Sequence, residues 1–370
     1  LRNNSKELNT WLESQPDGMS VLIALRSALR ALSMLSDDRV EPDTQDKAIL
    51  SCVRAISLSL HIARNPSAEL SELAFLVSRR AAKAAIECLD QEYRSPRKRK
   101  ASAGTTSYAC ETANRSAKAA ELQSQSRTRG FAIDATLDGV PDNPEETLSD
   151  FYVPFEKLLI KPLWSDERLQ ASQNTIGKVF PSGAWSFWRE WYQGFLDGNP
   201  IDWELQARVA LIDDPIWEAG LDAVAEEIAK IEAAYQVEKC ASDLEESAYP
   251  HSDLRTARGI GDNNPPSSIE DALQTSDGVT IIWAAARDLK EEAQAAKPDK
   301  KRVEIALGAI LGVLKVCGVW MAKKVDSGLQ AAVIAAGSTG GIAGAAWVTQ
   351  NSDKILDLVD AVQKWLPFLQ

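Results

Sequence analysis

The stretch LDAVAEEIAKIEAAY, residues 221–235, decides the fold class. Leu221, Val224, Ile228, Ile231 and Tyr235 follow one another at intervals of three and four, while Asp222, Glu226, Glu227, Lys230 and Glu232 fall off that line. An α-helix turns ~100° per residue, so this spacing gathers the apolar groups on one face and leaves the charges on the other. A strand alternates with period two and would scatter the same set over both faces. The helical spacing recurs in Val21, Leu22, Leu25, Leu29, Leu32 and Leu35, in Ile49, Val53, Ile56 and Leu60, and in Leu70, Leu73, Leu76, Val77 and Ile86. Pro42 and Pro66 stand near the starts of the second and third of these, where a missing amide costs nothing. No segment shows a sustained period-two run or a repeat of fixed period, so an all-α, multi-module helical protein is expected.

Composition shifts divide the chain. Residues 1–93 read as an N-terminal helical module. Residues 94–147 carry the basic run Arg94 to Lys100 and then a Ser/Thr/Ala/Gln-rich tract with few large apolar groups, the pattern of a linker. Residues 148–240 form a Trp-rich module holding six of the eleven tryptophans. Within it Ser182 is placed to cap a helix from Gly183 to about Asp197, which Gly198-Asn199-Pro200 stops, and a second helix runs from Trp203 to Ile212. Residues 241–275 combine a Gly/Pro linker with a short helix opened by Ser267-Ser268-Ile269-Glu270. Residues 276–370 form a C-terminal helical module, with a helix from Val279 to Ala295 stopped by Pro298, then two apolar segments and a closing amphipathic helix.

A net charge of −12 disfavours a polyanion-binding role for the chain as a whole. Cys52, Cys88, Cys110, Cys240 and Cys317 are odd in number, dispersed and never in a CxxC, which supports neither a disulfide framework nor a zinc ribbon and fits a cytoplasmic setting. The pairs Cys52/His61 and Cys240/His251 lack usual ligand spacing, so no metal and no cofactor is expected. Ala336-Gly337-Ser338-Thr339-Gly340 looks like a nucleophile elbow, but both histidines, His61 and His251, precede Ser338, against the serine, acid, histidine order of that fold. Gly259-Ile260-Gly261 is followed by Pro265-Pro266, which removes the amides a phosphate loop uses. No catalytic residue emerges, and a non-enzymatic protein is expected. The run Arg97-Lys98-Arg99-Lys100 is a candidate polyanion contact, although without interleaved aromatics nucleic acid is a disfavoured partner.

Trp185 to Phe195 places Trp188, Trp191, Tyr192 and Phe195 on one side of a helix. Such rings anchor a core first and an interface second, which makes Trp188, Trp191 and Tyr192 candidates for contact with a partner. The succession Phe187-Trp188-Arg189-Glu190-Trp191-Tyr192, Asp202-Trp203-Glu204, Trp217-Glu218-Ala219-Gly220 and Val224-Ala225-Glu226-Glu227-Ile228-Ala229, followed by Gly259-Ile260-Gly261-Asp262-Asn263-Asn264-Pro265-Pro266, resembles a recurring pattern in uncharacterised bacterial proteins with alanine-rich helical N-terminal regions. The resemblance implies a bacterial, helical, modular protein and carries no activity across.

The functional signal lies in the two apolar segments Ile305 to Ala322 and Leu329 to Thr349. Gly308 and Gly312 make one GxxxG, and Ala332, Ala336, Gly340 and Gly344 form a ladder of small residues four apart, a glycine-zipper pattern in which helix backbones approach closely. A membrane span needs ~20 mostly apolar residues. The second segment is long enough but built largely of Ala, Gly, Ser and Thr, and the first carries Lys315 near its centre, which costs ~2.5–3.5 kcal/mol on insertion scales. The expectation is therefore a Gly/Ala-rich helical hairpin that packs through its small stripes beneath the final helix and assembles with itself or a protein partner. The alternatives are a membrane-perturbing effector inserting residues 303–350, with conditional inner-membrane association, and nucleic-acid association through residues 94–100.

Overall fold

The computed structural model describes residues 5–16, 18–32, 41–65, 67–94, 148–164, 176–247, 278–316 and 345–369. The protein is all-α, with no strand among the described residues. The chain forms two compact units, Leu1–Ile228 and Ala229–Gln370.

In the first unit, α1 (Ser5–Glu13) leads into α2 (Gly18–Leu32), α3 (Pro42–Arg64) and α4 (Ala68–Arg94). The apolar spacing of α2 predicts one buried face, yet every residue from Gly18 to Leu32 is buried. A helix that is apolar nearly all round belongs at the centre of a unit. Gly18 permits its close start against α3, since a Cβ there would strike the Ala63 carbonyl oxygen. Pro42 opens α3 at the first helical turn, as its position predicts.

The segment 148–164 carries the short helix α5 (Phe155–Leu159), which packs on α2. Next come α6 (Ser186–Asp197), α7 (Trp203–Ala210), α8 (Asp214–Ala219) and α9 (Leu221–Glu245). Helix α6 begins three residues later than Ser182 predicts, and its N-cap, Trp185, makes no side-chain cap bond. The reason is Gly183, whose φ of 89° takes the backbone out of the helical region. At the other end Gly198 adopts φ 69°, and Asn199 N donates to the Gly194 carbonyl at 2.8 Å, a left-handed cap of the predicted kind. Asp202 caps α7 by accepting from Glu204 N at 2.9 Å. Leu163 N donates to the Phe195 carbonyl at 3.0 Å, so the end of α6 is fastened to the segment that α5 begins.

Helix α9 runs through the boundary between the units. Its stripe is buried only in part: Val224 and Ile228 are buried in the first unit, whereas Val237, Cys240, Ala241 and Leu244 enter the core of the second. That core is completed by α10 (Gly278–Gln294), α11 (Lys300–Val316), α12 (Ala345–Gln350) and α13 (Ser352–Trp365), followed by a 3-10 turn, Leu366–Phe368. Ile355, Leu358, Val359, Val362 and Trp365 of α13 are buried, the face their spacing predicts. Between α10 and α11 the turn is held by Glu292, only 4% exposed, which accepts from Asp299 N at 2.6 Å and pairs with Arg302. Asp299 in turn accepts from Lys301 N at 2.8 Å and starts α11.

Candidate functional site

Helix α11 presents two unlike faces. Val303, Ala306, Leu307, Ala309, Ile310, Val313 and Leu314 are buried in the core of the second unit, where α11 packs on α10 and α13. Opposite them, Lys301, Glu304, Ile305, Gly308, Gly312 and Lys315 are exposed, and Leu311 is half-buried. At ~100° per residue these seven positions fall within about 60° on either side of Gly308. Ile305 is 48% exposed, and a Cβ built on Gly308 or Gly312 meets nothing within 4 Å. The glycine stripe is thus an open, low surface lying along a helix whose other side is fully packed. The second segment of the expected hairpin lies largely outside the described residues, and on α11 the face that meets α10 and α13 is the bulky one. The bulky residues of α11 make the better core face, and the core takes them. Ala332, Ala336, Gly340 and Gly344 lie outside the described residues, as do Ser338, Gly259 to Pro266, and Arg97, Lys98, Arg99 and Lys100.

Trp188, Trp191 and Tyr192 are buried in the first unit at 0%, 1% and 1% exposure, so a partner has no access to them in this fold. Trp188 packs edge-on against Phe187 and Trp191, at centroid distances of 5.1 and 5.4 Å, and Trp191 does the same with Phe195 at 5.3 Å. Each such pair adds ~0.5–1.5 kcal/mol beyond the area it buries. The Trp191 Nε1–H donates to Gln206 Oε1 at 2.8 Å, tying α6 to α7.

Sequence reasoning missed the charged groups buried beside this core. Arg26 and Arg30 stand one turn apart on α2, each 1% exposed, and both donate to Asp150 Oδ2, at 2.9 and 2.6 Å. Arg26 also donates to the carbonyls of Leu158, Lys161 and Pro162, and Arg30 to that of Leu163. Lys161 Nζ reaches Asp150 Oδ1 at 3.1 Å. Burial alone would raise the Asp150 pKa, but the charges and hydrogen bonds of Arg30 and Arg26 outweigh it and hold the carboxyl well below the usual range. The only signal in the sequence is a pair of arginines four apart inside an otherwise apolar helix.

A second charged cluster joins α3, α4 and α8. Arg54 pairs with Asp214, and Arg80 donates to Asp214 Oδ2 at 2.9 Å and Glu218 Oε1 at 2.7 Å. The Arg54 guanidinium lies over the Trp217 ring, 5.0 Å from its centroid. Burial lowers the Arg54 pKa, against the opposing effect of Asp214. Nearby, Arg64 covers Trp203 at 4.7 Å, and burial lowers the pKa of His61, with Glu204 opposing. These groups fasten α2, α3 and α4 to residues 148–219.

Among the described residues no group of three or more His, Cys, Asp or Glu side chains is placed to hold a metal ion. Nor is any described helix long and apolar enough to cross a membrane. Comparisons of the chain with protein-family models, curated proteins and solved structures find no match.

Proposed function

We propose that this chain is a non-enzymatic helical protein that assembles, with itself or with a protein partner, through the exposed face of α11. One observation carries the reading. Two glycines a turn apart lie on an exposed helix face where an added Cβ would meet nothing, so another helix can come against the α11 backbone there. Among the described residues nothing packs against either glycine at the position of a Cβ. Each also costs about 1 kcal/mol of helix stability relative to alanine, a cost that close approach by a partner offsets.

The test is a Gly308→Gln, Gly312→Gln variant of the full chain. Glutamine is a good helix former and finds open space at both positions, so the second unit is expected to gain thermal stability while the low surface is filled. Light-scattering mass is expected to fall relative to wild type at matched concentration. A variant that keeps the wild-type mass removes α11 from the account. Flotation with anionic and neutral liposomes runs alongside; binding that the double variant leaves intact would assign membrane contact to other residues.

A further inference from the structure

We infer that the partner on the α11 face is a second copy of this chain, docked antiparallel about a two-fold axis level with Ile310. The inference rests on the assembly reading and specifies its geometry.

The stripe carries charge as well as glycine. Glu304 and Lys315 are both exposed, stand at opposite ends of the open face, and have no ion-pair partner among the described residues. With ~1.5 Å of rise per residue, Glu304 lies ~9 Å below the level of Ile310 and Lys315 ~7.5 Å above it. A two-fold axis at that level, perpendicular to the plane of the two helices, reverses one α11 against the other. Gly308 of each copy then faces Gly312 of its partner. Lys315 of each copy arrives within about one residue's rise of the partner's Glu304.

The angular positions agree. Relative to Gly308, Lys315 sits at about −20° and Glu304 at about −40°, on the same side of the stripe. The two-fold keeps that side in common, so both Lys315–Glu304 pairs form along one edge of the contact. Ile305 and Gly312 sit at about +60° and +40°, and line the other edge. A parallel pair has the opposite electrostatics, because it sets Lys315 against Lys315 and Glu304 against Glu304.

A single helix pair buries less than the ~1,200–2,000 Å² of a stable dimer interface, so the association is a weak, concentration-dependent one. Rim charge pairs of this kind set orientation more than affinity.

Sedimentation velocity over a concentration series of the full chain tests the geometry. Glu304→Lys alone and Lys315→Glu alone each place like charges at both pairs, and each is expected to raise the Kd about tenfold at low salt. The combined Glu304→Lys, Lys315→Glu variant restores both pairs with exchanged signs and is expected to return to within about twofold of wild type. All three differences shrink at high salt. If the single reversals leave the Kd unchanged while the glutamine double variant still dissociates, the antiparallel register is overturned and assembly through α11 stands. A wild-type chain that stays monomeric throughout, or associates only with liposomes, overturns the second copy as the partner on this face.

Discussion

Replacing Asp150 by alanine tests what holds the first unit together. The side chain is 1% exposed and pairs with two guanidiniums that are equally buried. Its removal takes from Arg26 and Arg30 the buried counter-charge that they share. Breaking a buried pair in this way costs ~3–5 kcal/mol. Against a total domain stability of ~5–15 kcal/mol that is a large fraction. With a urea slope of ~2–3 kcal/mol/M the midpoint should fall by about 1–2.5 M, read from the fluorescence of the buried tryptophans. Asp150→Asn keeps an acceptor oxygen but not the charge, and should fall between alanine and wild type. The folded pKa lies below the unfolded one, so the unfolded chain binds more protons and stability rises with pH. The contribution is present in full above the ordinary aspartate range near pH ~4 and is lost as pH falls below it. The alanine variant should therefore approach wild type in acid. An Asp150→Ala unfolding free energy within about 0.5 kcal/mol of wild type at neutral pH would refute a buried counter-charge, since that is the effect of a surface change.

Three smaller predictions accompany it. Gly198→Ala puts a Cβ 2.6 Å from the Ile160 carbonyl oxygen at a φ of 69°, and should cost about 1–3 kcal/mol in thermal denaturation. Trp191→Phe keeps the ring packing but removes the donor to Gln206, and should cost about 1 kcal/mol by urea titration. Burial, reinforced by Asp43, raises the Asp46 pKa against a hydrogen bond from Trp185, so wild type loses stability as pH rises through the carboxylate range. Asp46→Asn should accordingly be more stable than wild type at neutral pH, with the difference vanishing in acid.

Helix class and placement were legible because spacing reports which face a helix buries. The stops at Gly198 and the closing face of α13 were legible for local reasons, being set by residues within a turn or two of each other. What spacing cannot report is partnership across the chain. Asp150 meets Arg26 across 124 residues and Asp214 meets Arg54 across 160, and nothing in either short stretch names the other. The same limit applies to α11. Its sequence contains a glycine stripe and a leucine-isoleucine stripe, and either could be read as the packed face. The structure buries the bulky one, because burying Leu and Ile removes far more apolar surface from water than burying glycine does. Trp188 and Trp191 followed the same preference and went to the core.

Self-association through α11 is tested most directly by the solution mass of the unmodified full chain, measured by sedimentation equilibrium as concentration rises. The mass should climb from 40.4 kDa towards that of a dimer. A mass that stays at the monomer value across the series, with no added partner captured on α11, would contradict it.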